Sequence, residues 1–140
     1  MNPGPNAADP GPDATASSHL AAGLALRERR RLKAAAGCFE QAVAAEPDMV
    51  DGWFWLAVTR DNRGQESEAI PAYRRALRLG IEDVNRRAQA WTWLASSLSK
   101  TGKHASALAA LAEAEKLGGY DPAREYQRLR AAIQRRSARS

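Results

Sequence analysis

Two short tryptophan segments recur at the same place in a longer pattern. Residues 53–57 read WFWLA and residues 91–95 read WTWLA, and together they hold all four tryptophans. Each segment is followed at identical spacing by a glycine, an alanine, a large residue and an alanine: Gly64, Ala69, Tyr73 and Ala76, then Gly102, Ala107, Leu111 and Ala114. A fixed period of this kind predicts a repeat architecture, because one such unit cannot bury its apolar face alone and must stack on its neighbours.

A weaker copy precedes these two. It places Gly23 where the later copies have Ala57 and Ala95, 34 residues before the first of these. These small residues are predicted to let the two helices of a unit approach closely. The third copy starts four residues late, after IEDVNRR (81–87), and the extra length predicts one more helical turn at the start of the fifth helix.

The pattern resembles the tetratricopeptide repeat family, whose units carry a Trp, small residues, a large aromatic and a terminal Pro at a 34-residue period. The resemblance covers residues 16–119 and implies an all-α, right-handed α-solenoid of three helix-turn-helix units. Four positions depart from it. Arg60 stands where the family prefers an aromatic, Arg30 stands where the other units have a turn glycine, and Ile81 and Gly119 replace the terminal proline kept only as Pro47.

Apolar spacing and Gly and Pro breaks divide the chain into a tail, the repeat domain and a cap. Residues 1–16 hold four prolines and predict a disordered tail. The domain is predicted over 17–136, with units at about 16–49, 50–83 and 84–121, a capping helix at 122–136 and a basic tail at 137–140. Helices are predicted at 17–31, 34–46, 49–63, 66–79, 83–101, 104–117 and 122–136.

The second tryptophan of each segment is the main functional signal. Residues two apart on a helix are turned by about 200°, so Trp55 and Trp93 should face outward if Trp53 and Trp91 pack inside. The resemblance implies that the first helices of the units line a concave groove for peptide segments of partners. The predicted groove binds a protein or peptide with apolar anchors and is lined by Leu20, Leu24, Phe54, Trp55, Val58, Thr92, Trp93 and Ser96.

Two alternatives to partner binding stay open for that surface. It could join copies of the chain into a homo-oligomer, or other parts of the chain, such as the tail, could cover it. The resemblance also offers a carboxylate clamp for acidic chaperone tails, built from Lys, Asn and Arg. The corresponding positions here include Leu20, Leu24, Trp55, Gln89 and Trp93, so no such clamp is expected.

The positive charge suggests an alternative partner. The net charge is +5, and arginines cluster at 27–33 (RERRRLK), at 74–87 and from Arg124 onward. No nucleic-acid motif accompanies them, so we expect solvated faces, with a regulator that contacts nucleic acid or acidic partners as the alternative.

Catalysis has no candidate constellation. His19 and His104 lie in no metal-ligand pattern, and Cys38 is a lone thiol among alanines. We therefore expect a non-enzymatic protein without cofactor or metal. The single cysteine, with neither a signal-peptide pattern nor an apolar run of membrane-spanning length, predicts a cytoplasmic protein.

Overall fold

The computed structural model describes residues 14–119 and 123–139, and within these the chain is entirely helical. The prediction of an all-α fold is confirmed. The seven helices are α1 Ala16–Glu28, α2 Leu32–Ala45, α3 Val50–Asn62, α4 Glu66–Leu79, α5 Val84–Lys100, α6 His104–Lys116 and α7 Ala123–Arg139.

The helices form a solenoid of hairpins. α1 pairs with α2, α3 with α4 and α5 with α6, while α2 packs on α3 and α4 packs on α5. The interior is built as the spacing predicts: Ala35, Ala69 and Ala107 are fully buried beside the large side chains of Phe39 and Tyr73. The small residues allow close helix approach, and the large ones fill the space between hairpins.

α7 covers the last hairpin. It packs against α5 and α6, with Tyr126 and Ile133 buried and Leu129 half-buried. The ion pair between Arg130 Nε and Glu115 Oε1 (2.8 Å) and the hydrogen bond from Arg136 to Ser99 (3.4 Å) show its direction. α7 therefore runs parallel to α5 and antiparallel to α6, as the first helix of a further hairpin would.

Three hairpins turn in the same way. After α3 and α5 the backbone reverses at Gly64 (φ 75°) and Gly102 (φ 81°), and after α1 it reverses at Arg30 (φ 61°). In the first hairpin the Arg31 N–H donates to Leu26 O (3.0 Å), which satisfies a free carbonyl at the helix end. α1 thus ends at Glu28, three residues before the predicted end, because Arg30 adopts the conformation of the missing glycine.

The N-terminal boundary differs slightly from the prediction. α1 begins at Ala16, one residue before the predicted start, and is capped by Thr15, whose side chain accepts the Ser18 N–H (3.1 Å). The remainder of the predicted tail, residues 1–13, lies outside the described residues.

The insertion before the third unit lengthens α5, as predicted. α5 has 17 residues and α3 has 13, and the Asp83 carboxylate caps α5 by accepting the Arg86 N–H (2.9 Å). At the other end of the domain, the predicted start of the capping helix at residue 122 lies outside the described residues. α7 continues to Arg139, so residues 137–139 are helical where a tail was predicted.

Candidate functional site

The face formed by α1, α3 and α5 carries a group of aromatic rings and arginines. We call it the Trp55 cluster: Arg27 from α1, Phe54 and Trp55 from α3, and Arg86 and Trp93 from α5. The repeat spacing brings these helices side by side, and the indoles of Trp55 and Trp93 are half-buried against the core. The cluster therefore combines accessible aromatic surface with positive charge.

Two guanidinium groups lie over the Trp55 ring. Arg27 Cζ is 4.8 Å from the ring centroid and Arg86 Cζ is 5.6 Å from it. Arg86 also lies 5.1 Å from the centroid of Phe54. Cation–π contacts of this length contribute about 0.5–1 kcal/mol each at exposed sites, so they hold the arginine side chains in place on the face.

Phe54 connects the two tryptophans. Its ring centroid lies 5.1 Å from that of Trp55 in an edge-to-face arrangement and 6.3 Å from that of Trp93 in a stacked one. Phe54 itself is only 1% exposed. It acts as the floor beneath the two indoles, and a change in its packing would move both of them.

Polar groups of α3 orient the two arginines. The Arg86 guanidinium donates to Asp51 (3.4 Å), and the Arg27 guanidinium donates to Asn62 (2.9 Å). Asp51, Trp55 and Asn62 follow one another at helical spacing along the same side of α3. Burial lowers the pKa of Arg27 below its ordinary value, which marks this guanidinium as partly removed from water.

The structure separates the eight predicted groove residues into two sets. Leu20 and Leu24 are half-buried like the two tryptophans, so they still offer surface. Four residues expected to line an open trough are instead buried: Phe54, Val58, Thr92 and Ser96. Those four expectations of exposure are wrong. Helices α1, α2 and α4 pack against α3, and helices α4, α6 and α7 pack against α5. Only a narrow strip of each helix surface is therefore left uncovered.

The first tryptophan of each segment is less buried than predicted. Trp53 and Trp91 are half-buried, and Trp53 Nε1 donates to Pro47 O (2.8 Å). Trp91 lines a cleft of about 530 Å³ between α4, α5 and α6, with Leu94 and Leu98 beside it. The two indoles of the second segment therefore contact different surroundings, Trp91 the outer cleft and Trp93 the Trp55 cluster.

Sequence reasoning missed Arg27 and Arg86 as members of the site. Both were assigned to solvated basic stretches, and no spacing rule would have found them. Arg27 lies at the end of α1, and Arg86 lies in the insertion before the third unit. Asp61, near the end of α3, is half-buried and accepts a hydrogen bond from Tyr73 Oη (3.0 Å).

The described residues offer no metal centre and no membrane span. They contain no group of three or more His, Cys, Asp and Glu that could hold an ion. His19 is buried, and Cys38 packs half-buried against the core. In the part of the chain that the structure describes, no helix has both the length and the apolar character needed to cross a bilayer.

Comparison with known proteins decides the family. The tetratricopeptide repeat family model matches residues 52–138, more than half of the chain. The chain belongs to the tetratricopeptide repeat family. A search of curated proteins finds no match.

Solved structures share the tetratricopeptide fold of this chain. The type III secretion chaperone SycD of Yersinia enterocolitica, in complex with a peptide of the translocator YopD, superposes with a TM-score of 0.67 at 17% identity, covering 87% of this chain and 88% of that chain. The Sgt2 TPR domain of Aspergillus fumigatus superposes with a TM-score of 0.69 at 21% sequence identity, and the match covers 94% of this chain and 83% of that chain. MamA superposes with a TM-score of 0.66 at 18% sequence identity, and the match covers 74% of this chain and 58% of the MamA chain. The present chain therefore spans less than two thirds of the length of MamA.

Proposed function

We propose that this tetratricopeptide domain is a protein-interaction module that holds a peptide segment of a partner against the Trp55 cluster. The family and the fold support an interaction module. The finer assignment to this face rests on one observation: Trp55 and Trp93, two half-buried indoles, both pack on the buried ring of Phe54. Tryptophan is enriched among residues that dominate binding energy at protein interfaces.

The ligand that fits this face combines an apolar anchor with a carboxylate. The indole edges of Trp55 and Trp93 and the half-buried Leu20 and Leu24 provide apolar contact. The guanidinium groups over Trp55 have more donors than Asp51 and Asn62 use, and arginine pairs with carboxylates in a bidentate geometry. An apolar side chain next to an acidic one would contact both features at once.

The SycD structure supports the proposal by analogy of fold. That structure is a complex with a peptide of the translocator YopD, so in that protein a chain of this fold binds a peptide. The low identity limits the analogy to the fold, and the site on the present chain is argued from the Trp55 cluster alone.

A peptide-display selection tests the proposal. Random 12-residue peptides are selected on the whole chain, the enriched sequences are synthesised, and their dissociation constants are measured by fluorescence anisotropy. We expect enriched peptides to carry an aromatic or aliphatic residue near Asp or Glu, and Trp55→Ala or Trp93→Ala to weaken their binding by at least tenfold.

Trp91→Ala is the matched control, because it removes the same side chain two residues away in the outer cleft. It should leave the dissociation constants within about threefold. Far-ultraviolet circular dichroism checks that each variant keeps its helices. Two outcomes would refute the assignment to the Trp55 cluster. In one, Trp91→Ala and Trp93→Ala weaken peptide binding equally; in the other, both variants bind the peptides as tightly as the wild type does.

A further inference from the structure

The hairpin topology collects one set of turns at a single edge of the solenoid. Every first helix ends there and every second helix begins there, so the turns 29–31, 63–65 and 101–103 lie in a row. The α1–α2 turn exposes Arg29, Arg30, Arg31 and, at the start of α2, Lys33. This first turn alone presents a dense group of positive charge.

The other end of the row is also basic. Lys100 and Lys103 are exposed at the α5–α6 turn. Because Arg136 of α7 reaches Ser99 at the end of α5, the end of α7 lies at the same edge and brings the exposed Arg135 and Arg139. Arg63, exposed in the middle turn, connects the two groups. We call this whole set of side chains the basic edge: Arg29, Arg30, Arg31, Lys33, Arg63, Lys100, Lys103, Arg135 and Arg139.

Apart from Arg63, which donates to Gln65, the basic-edge side chains make no ion pair or hydrogen bond with another described residue. The opposite edge behaves differently. There Asp48 pairs with Arg75 (3.8 Å) and Asp51 pairs with Arg86 (3.4 Å), so its acidic groups are partly neutralised within the chain. The basic edge thus lacks the ion pairs with described residues that partly neutralise the opposite edge.

Arg30 adds a further positive side chain to this edge from an unfavourable backbone conformation. Its φ of 61° lies in the left-handed region, where the other two hairpins have glycine. An arginine is unfavourable in that conformation, yet its guanidinium adds to the densest part of the basic edge.

Among the described residues, no large apolar side chain stands exposed at the basic edge, where Leu32 is half-buried. The large apolar side chains that stand exposed in the described part of the chain are Val84 and Leu108. Val84 begins α5 at the opposite edge, and Leu108 lies within α6. Protein interfaces have a core depleted of charge and enriched in apolar and aromatic groups, so this edge does not fit a protein partner.

We propose that the basic edge binds the phosphate backbone of a nucleic acid, independently of the peptide site. Arginine and lysine side chains neutralise phosphates in succession along such a polymer and release its counterions. Because no aromatic ring is exposed at the basic edge in the described residues, the interaction reads charge and not base sequence.

Fluorescence anisotropy with labelled 20-nucleotide single strands and 20-base-pair duplexes of several sequences tests this inference. The whole chain should bind all sequences alike, and affinity should fall steeply as salt rises from 50 to 200 mM. The triple variant Arg29→Gln/Arg31→Gln/Lys33→Gln should weaken binding at least tenfold at 50 mM salt. It should also reduce the slope of log K against log salt by about 2–3, because each lost phosphate contact removes about 0.7–0.9.

The matched control removes three exposed positive charges elsewhere: Arg74→Gln/Arg78→Gln/Arg128→Gln. The overall charge of the two variants is the same, so only a local site predicts different slopes. Arg27 and Arg30 are left unchanged, the first because it contacts Trp55 and the second because of its backbone conformation. Circular dichroism confirms folding of both variants.

Two further probes separate other sources of negative charge. Poly-glutamate stands for an acidic protein, and vesicles with phosphatidylserine stand for a membrane surface. The inference is supported if the wild type binds the oligonucleotides and only the Arg29→Gln/Arg31→Gln/Lys33→Gln variant shows the reduced salt slope. Equal slopes in the two triple variants, or tighter binding to poly-glutamate or vesicles than to oligonucleotides at 100 mM salt, would overturn it.

Discussion

The ring of Phe39 in α2 lies directly against Gly23 in α1, where no side chain could fit. A β-carbon on Gly23 would come within 2.5 Å of Phe39 Cε1, and Phe39 is fully buried. Gly23→Ala should therefore destabilise the fold by about 1–3 kcal/mol, because the ring cannot move without disturbing the core. Urea unfolding followed by circular dichroism measures this change.

Gly37 in α2 provides the control for that substitution. A β-carbon at Gly37 would meet nothing within 4 Å. Gly37→Ala should raise the free energy of unfolding by about 0.5–1 kcal/mol, since alanine is the better helix former. If Gly23→Ala raises the urea midpoint as Gly37→Ala does, the close approach of α1 and α2 does not depend on the glycine at position 23.

The Arg30 turn should be improved by the residue that the other hairpins use. Arg30→Gly should stabilise the chain by about 1 kcal/mol, because the left-handed conformation is unfavourable for a residue with a β-carbon. Arg30→Ala removes the same charge but keeps the β-carbon, so it should leave stability nearly unchanged. A gain of equal size in both variants, measured by urea unfolding, would point to charge repulsion as the cause.

The sequence predicted the hairpins and their turns well because both depend on local spacing. Gly64 and Gly102 mark turns through their own backbone freedom, and the IEDVNRR insertion lengthens the helix in which it lies. Arg30 shows the limit of that rule. Its turn has the same geometry without the glycine, so the period, and not the residue type, determined the structure.

The candidate site was only partly predictable. Helix geometry predicts that the two tryptophans of each segment point to different sides of the helix, and all four indoles are half-buried. The burial of Phe54 depends on how closely neighbouring helices surround α3, which spacing within one helix does not contain. The contact of Arg86 with Trp55 depends further on the orientation of a long side chain from another hairpin.

Asp61 should make stability depend on pH. Burial raises its pKa above the ordinary 3.8, although the hydrogen bond from Tyr73 Oη and the charge of Lys100 act in the opposite direction. The folded state then holds the proton more tightly than the unfolded state. The contribution of Asp61 to the free energy of unfolding is favourable at low pH and declines as pH rises from about 3.8 through the raised pKa.

Asp61→Asn isolates this effect, because a neutral amide oxygen can still accept from Tyr73. The free energy of unfolding of the variant minus that of the wild type should increase between pH 3.5 and pH 7. Glu46→Gln, which removes an exposed acid, controls for the loss of one negative charge. A difference for Asp61→Asn that stays constant or decreases with pH contradicts the assignment.

A double-mutant cycle measures whether Arg27 and Trp55 interact as the geometry indicates. The cycle consists of Arg27→Gln, Trp55→Leu and the double variant, and each single change removes the cation–π contact of 4.8 Å. We expect a coupling energy of about 0.5–1 kcal/mol between the two residues. Arg128, an exposed residue of α7, provides the control pair, and its cycle with Trp55 should give a coupling near zero. If the Arg27 cycle also gives no coupling in urea unfolding, the guanidinium does not hold the Trp55 ring, and a peptide would meet a freely moving arginine on this face.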